Sequence, residues 1–386
     1  MTFSPRFTYT HRLVRDLGTI ELARGVIKLL PLPPDQAFFL RHKARFRSMM
    51  SSTAIEGNTL SDEESIRAIM RPDASAADMQ QERRNYWRAL EWIEKQVDEH
   101  RAITEKFVRE LHCIIDVRGV GRRPHESAYR KDECPVVDKA TRLIDYAPPR
   151  PRDVPSLMAD LVAWLRSKEA AGLPAEIRAG VLAHRFVSIH PFPDGNGRTA
   201  RALATAELWL GGYDMRGFLS LEEFYEVDRA RYYRSLQMGY PVDFYEGRND
   251  PDHKEWLEYF ISTMATAADL LRRTAEGMNI PGGSITRPWD GLNRQQQQLL
   301  NWVLMKVLAN ESEPNQIRPG EVAEWYSVSG NTAREWLAAW VDDGFVEPTS
   351  PDAQRIRSYR LCTQWFSLVE GTARRTRDNT SQSGKN

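Results

Sequence analysis

Cysteine is scarce in this chain. Cys113, Cys134 and Cys362 are scattered and odd in number, which argues against a disulfide framework and suits reduced thiols in a cytosol. No Cys/His cluster has zinc spacing, and no Ser/His/Asp order stands out. Net charge is missing as well, since 53 Lys and Arg balance 53 Asp and Glu over 386 residues. A neutral chain has no global field that attracts nucleic acid or an anionic membrane. No apolar run is long enough to cross a bilayer. The opening stretch, Met1 to Arg12, contains no continuous h-region of a secretory signal. A cytoplasmic protein of two or three domains, without a membrane partner, is the expectation.

Functional groups concentrate in one place. His190-Pro-Phe-Pro-Asp194-Gly195-Asn196-Gly197-Arg198-Thr-Ala-Arg201 holds an imidazole, a carboxylate, two glycines, an amide and two arginines. Pro191 and Pro193 cannot sit inside a helix, so His190 to Asp194 is expected to be a rigid loop. Gly195 and Gly197 permit the backbone angles that turn successive N–H groups toward one point, an anion nest. From Arg198 the composition turns helical until Gly211-Gly212. The nest therefore falls at a helix N-terminus, where free N–H groups favour phosphate. Arg198 and Arg201 are three apart and share a face of the first turn. Asp194 is a hard oxygen ligand of the kind that holds Mg²⁺ together with phosphate oxygens. His190 alone in the loop titrates near neutrality, so it is the candidate general base.

The same stretch resembles the Fic family signature His-Pro-Phe-x-x-Gly-Asn-Gly-Arg-x-x-Arg, with every fixed position filled. The resemblance implies a mainly α protein with an all-helical core and a small β-hairpin flap. It implies transfer of AMP from ATP to a Ser, Thr or Tyr hydroxyl of a target protein. By the motif, His190 is the base and Asp194 the Mg²⁺ ligand. Gly195, Asn196, Gly197 and Arg198 form the phosphate cradle, and Arg201 fixes the γ-phosphate. Tyr232 and Tyr233 fall where relatives place residues near the adenine, although core packing suits at least one of them better.

A second element lies upstream. Ser52, Glu56 and Gly57 match the Ser/Thr-x-x-x-Glu-Gly/Asn pattern of the helix that restrains many Fic proteins. In that reading Glu56 pairs with Arg201 and keeps the γ-phosphate from seating. Alone, the same residues read as a helix end capped by Gly57-Asn58. Between the two elements, Cys134–Val137 and Arg142–Tyr146 read as short strands turning at Asp138-Lys139-Ala140. They resemble the flap that docks a target segment by strand addition, near residues 133–145. Pro135 removes a backbone donor there.

Four regions are expected. Residues 1–103 form an N-terminal helical region with the inhibitory helix, and 104–285 the catalytic core with its following helices. Residues 286–372 form a winged-helix-like domain, and 373–386 a disordered tail. The third region resembles the end of many bacterial Fic proteins. It carries eleven basic and eleven acidic residues between Gly291 and Asn386, so DNA binding is weakly supported. Asn331, Thr332, Arg334 and the wing arginines Arg355, Arg357 and Arg360 keep it open. Relatives often dimerise, which leaves a homodimer open too. Two further readings stand beside AMP transfer. One is AMP removal or transfer of another phosphate-linked group at the same site. The other is a nucleotide-sensing DNA-binding regulator.

Overall fold

The computed structural model describes residues 3–30, 34–70, 78–116, 126–137, 141–278, 292–308, 313–326, 328–351 and 356–366. The expected flap turn at 138–140, the linker from Asn279, Arg355 and the tail lie outside them. The described chain is mainly helical, as the resemblance implies. In chain order it gives α1 (His11–Leu29), α2 (Pro34–Ile55), α3 (Asp62–Met70), α4 (Asp78–Asp98) and α5 (Glu105–Ile115). A hairpin of β1 (Val136–Val137) and β2 (Ile144–Tyr146) follows. Next come α6 (Val154–Leu165), α7 (Lys168–Ala171), α8 (Ala175–Ile189), α9 (Asn196–Leu210), α10 (Glu222–Val227), α11 (Arg229–Gln237) and α12 (Lys254–Met278). The last elements are α13 (Arg294–Leu308), α14 (Pro319–Tyr326), α15 (Gly330–Asp342), β3 (Val346–Pro348) and β4 (Tyr359–Leu361).

These elements form two compact units. The first holds residues 1–31, 43–59 and 81–280. Its centre is α8, which packs on α9, α6 and α12, while α1 lies along α12. Phe186 and Ile189 of α8, Leu203 and Ala206 of α9, and Leu257 and Ile261 of α12 are fully buried there. Such side chains contribute about 1.5–3 kcal/mol each on burial. Local capping matches the sequence: Thr104 Oγ1 accepts from Phe107 N at the start of α5, and Pro155 occupies the first turn of α6.

The second unit holds residues 32–42, 60–80 and 281–386. Two N-terminal segments thus cluster with the C-terminal helices. Ser61 and Glu64 form a reciprocal cap before α3: Ser61 N donates to Glu64 Oε2 at 2.9 Å and Glu64 N to Ser61 Oγ at 3.2 Å. Within this unit α14 packs on α15, and α15 on β3. Strands β3 and β4 pair antiparallel, and Ile317 bridges to Tyr359 of β4. Leu300, Val303, Val322, Leu337, Trp340 and Phe345 make the buried core.

Strands β1 and β2 pair antiparallel across a register shift between Val136 and Val137. Both are shorter than the sequence suggests. Strand β1 begins only after Pro135, which has no N–H to give a ladder.

Candidate active site

Helix α8 ends because Pro191 cannot continue it. His190 is its C-cap, in the left-handed region at φ 51°, ψ 56°, with its N–H bonded to Phe186 O at 3.0 Å. Few non-glycine residues adopt that conformation, so the surroundings must hold it. Phe192, fully buried, anchors the loop in the core. The loop closes at Gly195, the N-cap of α9, with φ 74°.

Every carbonyl from His190 to Gly195 accepts a donor. Arg130 Nε reaches His190 O at 2.8 Å, and Arg130 N reaches Pro191 O at 2.9 Å. Asn196 Nδ2 takes Phe192 O at 2.7 Å, and Cys134 Sγ takes Pro193 O at 3.4 Å. His112 Nε2 binds Asp194 O at 2.8 Å. Thr199 donates both N and Oγ1 to Gly195 O, each at 2.9 Å. The acceptors of this loop are thus spent on the protein. The N–H groups in the first turn of α9 have no acceptor within their own helix. Polar sorting of this kind makes the α9 end an anion site with no carbonyl competing.

Two predicted roles change in detail. Asn196 was expected in the phosphate cradle, but its buried amide is spent on Phe192, accepting from Phe192 N at 3.0 Å as well as donating to Phe192 O. It braces the loop, and only its backbone remains for an anion. Tyr232 is buried, stacks on Tyr225 with centroids 4.8 Å apart, and places its hydroxyl 3.4 Å from Arg201 Nη1. Tyr233 is more exposed, and its hydroxyl lies 3.4 Å from Ile55 O.

Both arginines are buried. Arg201 donates Nε to Ser52 Oγ at 2.9 Å and Nη2 to Ser52 O at 2.8 Å and Glu56 Oε1 at 2.7 Å. Burial opposes its charge, yet Tyr232 and Glu56 hold its pKa above the ordinary arginine value. Glu56 follows the last residue of α2, and Gly57 at φ 101° terminates the helix. The cap reading and the ion-pair reading therefore describe the same atoms. A Cβ on Gly197 would lie 2.3 Å from Glu56 Oε1, so a side chain there would push the carboxylate aside. The carboxylate lies against the first turn of α9.

Arg198 pairs with Glu82 at 3.2 Å and with Asp194 Oδ2 at 3.2 Å. Glu82 also accepts from Asn58 Nδ2 at 2.9 Å. The Asp194 side chain is 60% exposed, open to a cation that arrives with phosphate. Among the described residues no group of three His, Cys, Asp or Glu forms a metal cage of its own. One exposed carboxylate beside an anion site fits a Mg²⁺ carried by a nucleotide.

Burial pushes the His190 imidazole down to about 4, and Val187 O opposes that shift. Its Nδ1 lies 3.4 Å from Val187 O. A carbonyl only accepts, so Nδ1 carries the proton and Nε2 keeps a free lone pair at neutral pH. Burial likewise lowers His112 to about 4. His184, by contrast, is fully buried and bonds to Leu236 O at 3.1 Å, a packing role.

His112, Arg130 and Glu82 do not emerge from the sequence reading. A weak signal exists for His112: it shares the apolar stripe of α5 with Val108, Leu111 and Ile115, and an imidazole in such a stripe calls for a partner. Nothing comparable marks Arg130 or Glu82.

Residues 102–208 match the sequence model of the Fic/DOC family. The chain is 28% identical over 204 residues to the protein adenylyltransferase Fic of Drosophila willistoni, covering 52% of this chain and 39% of that protein. It is 30% identical over 178 residues to the enzyme of the same name from Drosophila virilis, covering 45% and 34%. The chain thus spans well under half the length of these relatives. In fold it is similar to a Fic family protein from Desulfovibrio desulfuricans, with TM-score 0.58 and 22% identity, covering 94% of this chain and 99% of that one. A Fic-domain signaling protein from Bacteroides thetaiotaomicron gives TM-score 0.55 and 23% identity, covering 70% and 100%.

Proposed function

The chain carries a Fic/DOC-family domain at residues 102–208, and on that premise we propose that it is a protein adenylyltransferase. It moves AMP from ATP to a Ser, Thr or Tyr hydroxyl of a target protein or of itself, and Glu56 restrains it. The observation that carries this reading is the Glu56–Arg201 pair at 2.7 Å, set against the first turn of α9. An anion site already filled by an internal carboxylate is built for an anion and closed to it.

With Glu56 displaced, the backbone N–H groups of α9 and the two arginines bind the triphosphate. His190 Nε2 takes the proton of the attacking hydroxyl as its oxygen bonds to the α-phosphorus. The bond from that phosphorus to the bridging oxygen breaks, and pyrophosphate leaves. Mg²⁺, held by Asp194 and phosphate oxygens, would neutralise charge on the leaving group. The buried neighbours of the loop exclude water from its back side and fix the N–H directions before substrate arrives. The exposed edge of the flap receives the target segment.

The C-terminal part of the second unit we read as a winged helix: α13, α14 and α15, then the β3–β4 hairpin. Two of its candidate DNA-contacting arginines are engaged within the unit. Arg334 bonds to Gly330 O and Asn331 Oδ1, and Arg360 pairs with Glu347 at 2.7 Å. Protein contact, a homodimer included, fits this surface better than DNA does.

Incubation with α-³²P-ATP and, in parallel, γ-³²P-ATP tests the reading. Wild type should label weakly, Glu56→Gly strongly, and Glu56→Gly/His190→Ala not at all, with label from the α-phosphate only. Label from the γ-phosphate, or none from the Glu56→Gly protein in a lysate, would sink it.

A further inference from the structure

We propose that His112, which lies outside the phosphate-binding motif, is a positioning residue that aims Asp194 and the first turn of α9 at a metal-bound triphosphate; the proposal rests on the adenylyltransferase reading above. His112 is 1% exposed on α5. Its Nε2 is 2.8 Å from Asp194 O and its Nδ1 is 2.7 Å from Ser127 Oγ. A carbonyl oxygen can only accept, so Nε2 carries the proton. In a neutral imidazole Nδ1 is then the acceptor, and Ser127 donates to it. The chain Ser127–His112–Asp194 has one consistent direction.

The ring plane is also fixed. It stacks on Phe192, with centroids 3.7 Å apart and planes 15° apart. Gly195 also lies close by, since a Cβ there would be 3.5 Å from Nε2. His112 therefore holds the Asp194–Gly195 peptide through a hydrogen bond from a ring that Phe192 keeps in place. That peptide is a junction. On one side stands the Asp194 carboxylate, exposed and paired only across 3.2 Å to Arg198. On the other stands Gly195, whose left-handed backbone starts α9. Rotation of this peptide would swing both the carboxylate and the first N–H vectors of the helix. Outer residues that orient a ligating group commonly matter about 10–100-fold for metal affinity or activity.

The test uses the full chain with Glu56→Gly and His190→Ala, which binds nucleotide without consuming it. Calorimetric titration with ATP is run with Mg²⁺ and again with EDTA, and the gain in affinity from Mg²⁺ is the readout. His112→Phe keeps the stacked ring and deletes the donor. It should shrink that gain about tenfold, over and above a smaller loss in EDTA from the α9 N–H groups that the same peptide aims. His112→Gln sets an amide N–H near the Nε2 position and should recover most of the gain, which guards against a folding defect. Three results overturn the proposal: an unchanged gain, a parallel loss with and without Mg²⁺, or a Gln variant no better than Phe. A parent protein without any Mg²⁺-dependent gain overturns it as well. AMP transfer by Glu56→Gly with His190 intact is measured separately. A parent that binds Mg²⁺ and ATP with the expected gain yet transfers nothing defeats the enzyme reading and leaves His112 judged by calorimetry.

Discussion

The motif loop and the flap lie in the same unit and are built on opposite plans. Between His190 and Gly195 every carbonyl is taken, and Phe192 is sunk in the core. The flap has a two-residue and a three-residue strand, and Val136, Val137, Leu143 and Ile144 are exposed at 37–68%. In the proposed mechanism the loop does chemistry that is the same for every acceptor, so its geometry is fixed in advance. The flap meets a partner from outside, so its edge and apolar side chains are left unspent. Rigidity is placed where electrostatics must be set beforehand, and vacancy where a strand can be added.

The comparison breaks if loop and flap variants fail in the same way. The largest effect is expected from His190→Ala in the Glu56→Gly background, with transfer falling about 10²–10⁴-fold for every acceptor. Label counted on both the target and the enzyme itself checks this.

Acid gives the next largest effect. The folded pKa values of His112, His190 and His253 are lowered to about 4, and that of His184 well below normal, all led by burial. Below about 6.5 the unfolded chain takes up protons that the folded chain refuses. Stability should therefore fall as pH drops from about 6.5 toward 4, by at most about 1.4 kcal/mol per pH unit for each proton. Residues 131–147 contain no histidine. Urea titrations should follow the loss, and hydrogen exchange should rise around the loop before the flap changes.

Arg130→Met should cost about 2–3 kcal/mol of stability by leaving His190 O without its donor. It should lower transfer to all acceptors alike, as denaturation midpoints and initial rates would record. Leu143→Asp and Ile144→Asp should give the smallest change in stability, within about 0.5 kcal/mol. They should raise the KM for the target protein and leave ATP affinity alone.

Much of the site was legible because its residues are neighbours in sequence. His190, Asp194, Gly195, Gly197, Arg198 and Arg201 come together through one loop and one helical turn. Even the distant Ser52 and Glu56 arrive at Arg201, because a four-residue spacing at a helix end presents both on one side. What the sequence hides is the support. His112, Arg130 and Glu82 lie 60 residues or more from the atoms they hold, and a histidine or arginine carries no mark of a backbone carbonyl as its partner. The side-chain partner of Asn196 was hidden for a related reason: its amide is spent on Phe192, four residues back on the loop, while its backbone stays at the start of α9. The division of the chain was hidden too, because residues 32–42 and 60–80 join the C-terminal unit through contacts far apart in sequence.

Glu56 is joined to the site by its own backbone, so it faces Arg201 at an effective concentration that no dilution lowers. In the proposed mechanism a competing triphosphate is weighed against a ligand that never diffuses away. Its apparent affinity scales with the fraction of molecules in which the carboxylate has turned aside. Whatever enlarges that fraction, by loosening the end of α2 or offering Glu56 another cation, would act as a gain control on nucleotide binding without touching a catalytic atom.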